Sequence, residues 1–163
     1  MSDLHFIITG GTIDSVYHPP VQHLVPSESS ILPEYLESVI KPHFEMSYEE
    51  IAMLDSRDIN DDVRQEIVKA ALASVCDKII ITHGTDTMGE TAAALKELGA
   101  DKTIILVGAM IPLKEFVLSD GGFNLGYAIA EAQHLEHGVY ICMNAKTFKA
   151  GAAQKNVDLA RFE

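Results

Sequence analysis

The sequence predicts an α/β fold: a doubly wound, mainly parallel sheet with helices on both faces. Three short apolar runs, rich in isoleucine or valine, each end in a turn that contains glycine or threonine, which is typical of buried parallel strands. Between them, apolar residues recur at three- and four-residue spacing, which indicates amphipathic helices. Strands that alternate with helices build a sheet whose ligands bind beyond the carboxyl ends of its strands.

Each element follows from one of these two patterns. The clearest strands are predicted at 4–9, 78–82 and 102–108, with further strands at 49–55 and 138–144. Helices are predicted at 32–40, 61–75, 87–99 and 124–138. The stretch 14–30 shows no clear period and carries three prolines, so we expect a long functional loop that closes over a site.

Size and charge limit the organisation and the partners. At 163 residues, of which 47% are hydrophobic, the chain is predicted to form a single domain, 1–163. The formal net charge is -12 and no lysine or arginine cluster stands out, so we expect neither nucleic acid nor a membrane surface as a partner. There is no leader pattern and no apolar run near the roughly 20 residues of a membrane span, so the predicted location is cytoplasmic.

Cofactor and metal sites are not expected. Cys76 and Cys142 stand apart, without a Cys-x-x-Cys spacing, and are predicted to be buried free thiols. His134 and His137 are close in sequence but have no further ligand pattern around them, so no metal is predicted. The double glycine after the first strand lacks the third glycine of a dinucleotide fingerprint, and a proline-bearing stretch follows where that fingerprint requires a helix.

Polar clusters follow three of the predicted strands. They are Thr9–Thr12, Asp55–Asp58 and His83–Thr87. Because the carboxyl ends of parallel strands meet at one edge of a sheet, we expect the clusters to converge there. The glycines of the first cluster allow the backbone to approach a ligand and can present N–H groups as oxyanion donors, while a plain strand-to-loop turn is the alternative.

The third cluster allows a functional and a structural interpretation. Thr85 and Asp86 precede a predicted helix, where they can hold a substrate or transfer a proton. Alternatively, Asp86 is an ordinary helix cap. Thr87 and Glu90 have the spacing of a capping box, which predicts a structural role for Thr87.

The second cluster carries Ser56 and Arg57. They offer a hydroxyl and a guanidinium fork that suits a carboxylate, although the same residue types are common in solvated turns. His83, which opens the third cluster, is predicted to be structural.

Longer motifs surround these clusters. T-G-G-T lies within "IITGGTID" (7–14), and H-G-T-D-T lies within "IITHGTDTMGET" (80–91). "DSRDIND" (55–61), "VGAM" (107–110) and "SDGGFNL" (119–125) accompany them. Together they resemble the signatures and landmarks of the bacterial-type L-asparaginase family, the threonine amidohydrolases, in the same order and along nearly the whole chain. The resemblance implies the fold of that family's N-terminal domain.

The resemblance also implies a role for each matching residue. Thr12 is expected to be the nucleophile that attacks the side-chain amide carbon, releases ammonia and leaves an acyl-enzyme for water to hydrolyse. Tyr17 is expected to help activate Thr12 from the mobile loop. Thr85 and Asp86 match the second threonine and the acid that typically binds the substrate's α-amino group.

A lysine hydrogen-bonded to the second threonine belongs to the same pattern. Lys155 is preferred because of its distance from the Met143-Asn144 pair, and Lys146 is the alternative. The predicted substrate contacts are Gly11, Ser56, Arg57, Gly84, Thr85 and Asp86.

These assignments predict an amidohydrolase that converts L-asparagine or a related carboxamide to the acid and ammonia. Two departures from the family pattern are expected to affect substrate affinity: we expect the family's C-terminal domain to be absent, and Arg57 stands where many members carry glutamine. The alternative is therefore a non-catalytic module that binds an amino acid or a partner protein, and an ammonia-supplying amidotransferase subunit ranks third. The resemblance further predicts a homodimer or homotetramer.

Overall fold

The chain alternates strands and helices, and the computed structural model describes residues 3–97, 99 and 101–163. The strands are β1 (Leu4–Gly10), β2 (Ser15–His18), β3 (His23–Pro26), β4 (Met46–Leu54), β5 (Lys78–Thr82), β6 (Thr103–Val107), β7 (Gly138–Met143), β8 (Lys146–Lys149), β9 (Lys155–Asn156) and β10 (Arg161–Phe162). The helices are α1 (Leu32–Glu34), which continues as a π-helix over Tyr35–Ile40, α2 (Asp61–Ala73), α3 (Met88–Glu97) and α4 (Gly121–Ala132). Short 3-10 turns cover Thr12–Asp14 and Ser56–Asp58.

The central sheet has the strand order β4-β1-β5-β6-β7-β8. The pairing is parallel from β4 to β7, and β8 adds an antiparallel edge strand next to β7. Every residue of β1 and β6 is buried, so both faces of these central strands are covered, as in α/β proteins with helices on each side. The prediction of an α/β fold with a mainly parallel sheet is confirmed.

The segment 14–30 is not the irregular loop that its sequence predicts. β2 and β3 form an antiparallel hairpin, with Ser15 opposite Pro26 and His18 opposite His23. The end of the hairpin near its turn is exposed on both strands. Because an exposed hairpin needs no apolar alternation, the sequence carries no strand signal here.

Helix α4 also differs from its predicted bounds, since it begins three residues earlier and ends six residues earlier than 124–138. Its start is set by Asp120, whose carboxylate accepts the backbone N–H groups of Met110 and Ile111 and so orders the chain just before the helix. Gly138, at the predicted helix end, instead opens β7.

Glycines bring the loops at the carboxyl ends of the strands into backbone contact. Gly10 has φ +91, and a Cβ placed on it would lie 2.5 Å from the backbone nitrogen of Leu54. A Cβ on Gly11, which has φ +80, would lie 2.4 Å from the backbone nitrogen of Gly84. A Cβ on Gly84 would in turn lie 2.5 Å from Ser56 Cβ. The three polar clusters converge, as predicted, because the glycines have no side chain of their own to hold the neighbouring loop away.

Substituting Gly11 tests this packing. Gly11→Ala should lower the free energy of unfolding by about 2 kcal/mol or more, because φ +80 with ψ -176 is a region that essentially only glycine occupies and because the new methyl group overlaps Gly84. Gly126→Ala is the matched control: nothing lies within 4 Å of its Cβ position inside α4, so it should gain up to about 1 kcal/mol. Urea unfolding measures both, and equal stability of the two variants would contradict the proposed constraint.

Candidate active site

Thr12 lies just beyond the end of β1, at the start of the first 3-10 turn. It lines an open cleft of about 700 Å³ at the carboxyl edge of the sheet. The hairpin supplies one wall of the cleft and the loop after β4 supplies another. The residues that line it with Thr12 are Ser15, Tyr17, His23, Leu24, Pro26, Asp55, Arg57 and Phe116.

The Asp14 side chain ties the Thr12 turn to the start of α1, a role that the sequence pattern did not predict. Its buried carboxylate accepts a hydrogen bond from Ser30 Oγ at 2.8 Å and one from the Ile31 N–H at 2.9 Å. Burial raises the pKa of Asp14, and these two hydrogen bonds oppose that shift. An acid two residues after the threonine of T-G-G-T is the signal that could have suggested this tether.

Tyr17 and Gly11 occupy the edges of this region. Tyr17 is half exposed on β2, and its backbone N–H donates to Glu115 Oε2 at 3.4 Å. Gly11 donates its N–H to the Leu54 carbonyl at 2.8 Å. That N–H is therefore engaged within the protein, which counts against the use of the Gly11 N–H as an oxyanion donor.

Thr85, Asp86 and Lys155 contact one another at the end of β5. Lys155 Nζ donates to Thr85 Oγ1 at 2.8 Å and pairs with Asp86 Oδ1 at 2.5 Å. Lys146, the alternative lysine, lies on β8 with its Nζ 4.8 Å from the centre of the Phe148 ring. Of the two lysines, Lys155 is the one that the fold brings to the second threonine.

Ser56 joins the loop after β4 to the loop after β5. It is buried, its Oγ accepts the backbone N–H of Asp86 at 3.2 Å, and its carbonyl accepts the Thr87 hydroxyl at 2.6 Å. The capping box predicted for Thr87 is therefore wrong, since its hydroxyl satisfies a carbonyl of the neighbouring loop and Glu90 pairs with Arg64 at 2.8 Å.

The guanidinium group of Arg57 is already engaged by a carboxylate of the protein. Its Nε and Nη2 each lie 2.9 Å from an oxygen of Asp55. The hydrogen bonds with Arg57 lower the pKa of Asp55, and the same contact raises the pKa of Arg57. A guanidinium carries five N–H donors, so this pair leaves three for a ligand. Asp55 thus occupies two of the donors that were predicted to bind a ligand carboxylate, although the Arg57 side chain is 72% exposed.

His83 is held inside the loop that carries Thr85. Its Nδ1 donates to the Gly84 carbonyl at 2.8 Å, which leaves Nε2 to accept the Thr91 hydroxyl at 2.8 Å. Arg64, also buried, donates from Nε to the same Thr91 oxygen at 3.3 Å. Burial lowers the pKa of His83 to about 4, with a smaller contribution from the nearby Arg64 charge, so the ring is neutral at pH 7.

The described residues contain neither a metal-binding cluster nor a membrane-spanning helix. In the part of the chain that the structure describes, no three histidine, cysteine, aspartate or glutamate side chains converge on a possible metal position. Among residues 3–97, 99 and 101–163, no helix is both long and apolar enough to span a membrane.

Comparison with known proteins decides the family. A family model described as "Asparaginase, N-terminal" matches residues 3–161. The chain belongs to this asparaginase family.

Several named asparaginases are similar over nearly all of this chain. "Probable L-asparaginase periplasmic" of Haemophilus influenzae is 32% identical over 158 residues, which are 92% of this chain and 45% of that protein. "L-asparaginase 1" of Escherichia coli K12 is 30% identical over 162 residues, 93% of this chain and 47% of that protein. The solved "Probable Cytoplasmic L-asparaginase from Campylobacter jejuni" superposes with a TM-score of 0.82 at 30% identity, covering 100% of this chain and 53% of the other. The chain spans about half the length of these asparaginases.

The state of His83 makes stability depend on pH. Because the pKa of His83 falls from 6.5 to about 4 on folding, the unfolded chain binds the proton first as the pH falls. The stability that comes from keeping His83 neutral is complete above about pH 6.5 and is lost progressively towards about pH 4. At pH 5 the loss in the free energy of unfolding amounts to about 2 kcal/mol. His83→Gln lacks this titration.

Urea unfolding of the wild type and His83→Gln at pH 7 and pH 5 measures this contribution. The advantage of the wild type over the variant should shrink by about 2 kcal/mol on going to pH 5. The same advantage at both pH values would show that His83 is not buried in its neutral form.

Proposed function

We propose that this chain is the nucleophile-bearing part of an amidohydrolase that converts the side-chain amide of L-asparagine, or a related carboxamide, to the acid and ammonia. The observation that supports the proposal is the contact of Gly11 with Gly84, which joins the loop that carries Thr12 to the loop that carries Thr85, whose hydroxyl is bonded to Lys155. Membership of the asparaginase family supports the same chemistry.

The reaction begins with attack by Thr12 Oγ1 on the amide carbon. The hydroxyl loses its proton as the new C–O bond forms, and the carbonyl oxygen becomes an oxyanion. Collapse of this intermediate breaks the C–N bond, the nitrogen takes a proton and leaves as ammonia, and the acyl group remains on Thr12 as an ester. Water then adds to the ester carbonyl, and the second collapse releases the acid and returns a proton to Thr12.

Thr85, Lys155 and Asp86 provide the groups for proton transfer and for binding the substrate's amino group. Lys155 Nζ contacts both Thr85 Oγ1 and Asp86 Oδ1, so a proton can pass between a hydroxyl, an amine and a carboxylate over hydrogen-bond distances. Asp86 is 45% exposed, and its Oδ2 lies 3.8 Å from Arg57 Nε. In this proposal Asp86 Oδ2 accepts the substrate ammonium group, because Lys155 already occupies Oδ1.

Arg57 is the candidate contact for the substrate carboxylate. Asp55 fixes the orientation of the guanidinium through its Nε and Nη2, and the Nη1 side keeps its two donors. The cleft that Arg57 shares with Thr12 thus offers a cation close to the nucleophile. A substrate with a carboxylate at the end opposite the amide matches this arrangement.

Ammonia release from L-asparagine, D-asparagine and L-glutamine tests the proposal. Thr12→Ala should lose activity by about 10³-fold or more, because it removes the nucleophile. Thr12→Ser is the matched control, since it keeps the hydroxyl, and it should retain measurable turnover. Near-wild-type ammonia release by Thr12→Ala would contradict the assignment of the nucleophile.

The same assay separates catalysis from simple binding. If the folded wild-type chain releases no ammonia from any of the three amides, but calorimetry detects amino-acid binding that Arg57→Ala weakens, then the chain is the non-catalytic binding module. The pairing of Arg57 with Asp55 supports this alternative. It orders the guanidinium group for contact with a ligand carboxylate, and such binding does not require turnover.

A homodimer or homotetramer is also proposed. Val117 is 100% exposed, Leu118 87% and Phe123 62%, and these apolar side chains are close together in sequence just before and within the first turn of α4. Contiguous exposed apolar residues mark association surfaces more often than isolated ones do.

The cytoplasmic location of the protein stays a prediction, because the relatives are named both periplasmic and cytoplasmic.

Light scattering at micromolar concentration measures the assembly. The wild type should have the mass of a dimer or tetramer, and Leu118→Asp should shift the population towards the monomer because it places a charge in the apolar surface. Val39→Asp, at a side chain that is 66% exposed elsewhere, should leave the mass unchanged. A monomeric wild type would refute this assembly.

A further inference from the structure

Three motifs remain outside the chemistry described above: "VGAM" (107–110), "SDGGFNL" (119–125) and the Met143-Asn144 pair. In the structure all three meet at Asn124, which is 1% exposed. Asn124 Nδ2 donates to the Gly108 carbonyl at 3.1 Å and to Asp120 Oδ2 at 3.0 Å, and its Oδ1 accepts the Asn144 N–H at 3.1 Å. Both amide hydrogens and the amide oxygen of this buried side chain are therefore engaged.

One branch of this network reaches Thr85 through Met110. Asp120, which accepts from Asn124, also accepts the backbone N–H of Met110 at 2.9 Å. The sulfur of Met110 lies 3.9 Å from Thr85 Oγ1. The position of Met110 beside Thr85 thus depends on a carboxylate that Asn124 holds.

The other branch reaches Thr85 through Lys155. Asn144 Oδ1 accepts the backbone N–H of Phe162 at 2.9 Å. Phe162 is buried and lies opposite Lys155 in the pairing of β10 with β9. Lys155 then donates to Thr85 Oγ1.

The small β9-β10 sheet is separate from the central sheet, and each of its strands has two residues. Its own pairing therefore does little to place Lys155 relative to β5. The Asn144 side chain supplies a direct bond from the end of β7 to β10. Asn144 has φ +55, a conformation that asparagine and glycine tolerate best, so this position suits a residue that both turns the chain and accepts a bond.

We infer that Asn124 and Asn144 are positioning residues that together hold Met110 and Lys155 against Thr85. Asn144 sets the β9-β10 sheet, and with it the Lys155 amine, while Asn124 fixes both Asn144 and Asp120. The effect on catalysis rests on the proposed function, but the effect on the Lys155 position does not.

Two variants of Asn144 separate its side chain from its backbone conformation. Asn144→Gly keeps a residue suited to positive φ and removes the acceptor for the Phe162 N–H. Asn144→Asp keeps an acceptor oxygen in the same place. The readouts are the rate of Lys155 acylation by acetic anhydride, measured by peptide mass spectrometry, and kcat and KM for the best amide substrate. Lys69, whose side chain is 69% exposed on α2, is the internal reference for acylation.

In Asn144→Gly, acylation of Lys155 relative to Lys69 should rise about fivefold or more. In the same variant, kcat should fall about 10-fold to 100-fold with KM changed less than threefold, because the lysine is displaced while the contacts to the substrate persist. Asn144→Asp should stay within about twofold of the wild type in each readout. Asn144→Ala replaces the glycine variant if the latter is unfolded by circular dichroism.

Acylation of Lys155 that is unchanged in the glycine and alanine variants would overturn the inference, as would a loss in Asn144→Asp equal to that in Asn144→Gly. Acylation needs no turnover, so a wild type that releases no ammonia would refute the proposed function and still leave the positioning role testable. A fully active wild type with unchanged acylation and kcat in Asn144→Gly would refute the positioning role alone.

Discussion

The backbone contact between Gly11 and Gly84 is the constraint on which the rest of the site depends. At this contact there is room for no side-chain atom, because a Cβ on Gly11 would lie 2.4 Å from the Gly84 nitrogen. The residue after each glycine is a threonine, so the close approach of two loops also brings two hydroxyl-bearing residues to the same edge of the sheet. The carboxyl ends of the parallel strands share one edge of the sheet. Because glycine has no side chain, the backbones of the two loops can approach each other closely at that edge.

The charged groups around this contact are paired, and the buried histidine beneath it is neutral. Lys155 pairs with Asp86, Arg57 pairs with Asp55, and His83 forms its hydrogen bonds with two uncharged groups, the Gly84 carbonyl and the Thr91 hydroxyl. Pairing offsets part of the desolvation that charged groups suffer at a partly buried site. It also means that charged groups of a ligand must share partners with the protein's own residues, which limits the geometries in which they can bind.

Sequence patterns predicted some parts of this structure well and others poorly, for identifiable reasons. The buried strands were predictable because a strand covered on both faces is apolar throughout. The β2-β3 hairpin was not, since its end near the turn is exposed and shows no alternation. The Thr87–Glu90 spacing fits a capping box, but Thr87 contacts the Ser56 carbonyl and Glu90 contacts Arg64. A local motif competes with partners that are distant in sequence, and its spacing cannot reveal them.

The sequence by itself determined the order of the helices and of the five parallel strands of the central sheet, and the presence of T-G-G-T and H-G-T-D-T at strand ends. Periodicity reports burial, and the ends of parallel strands share one edge of a sheet, so both features follow from local composition and topology. Only the tertiary structure decided that Lys155 and not Lys146 contacts Thr85, and that Asp55 occupies half of the Arg57 fork. Those choices depend on distances between residues in separate loops, and such distances are set by how the elements pack.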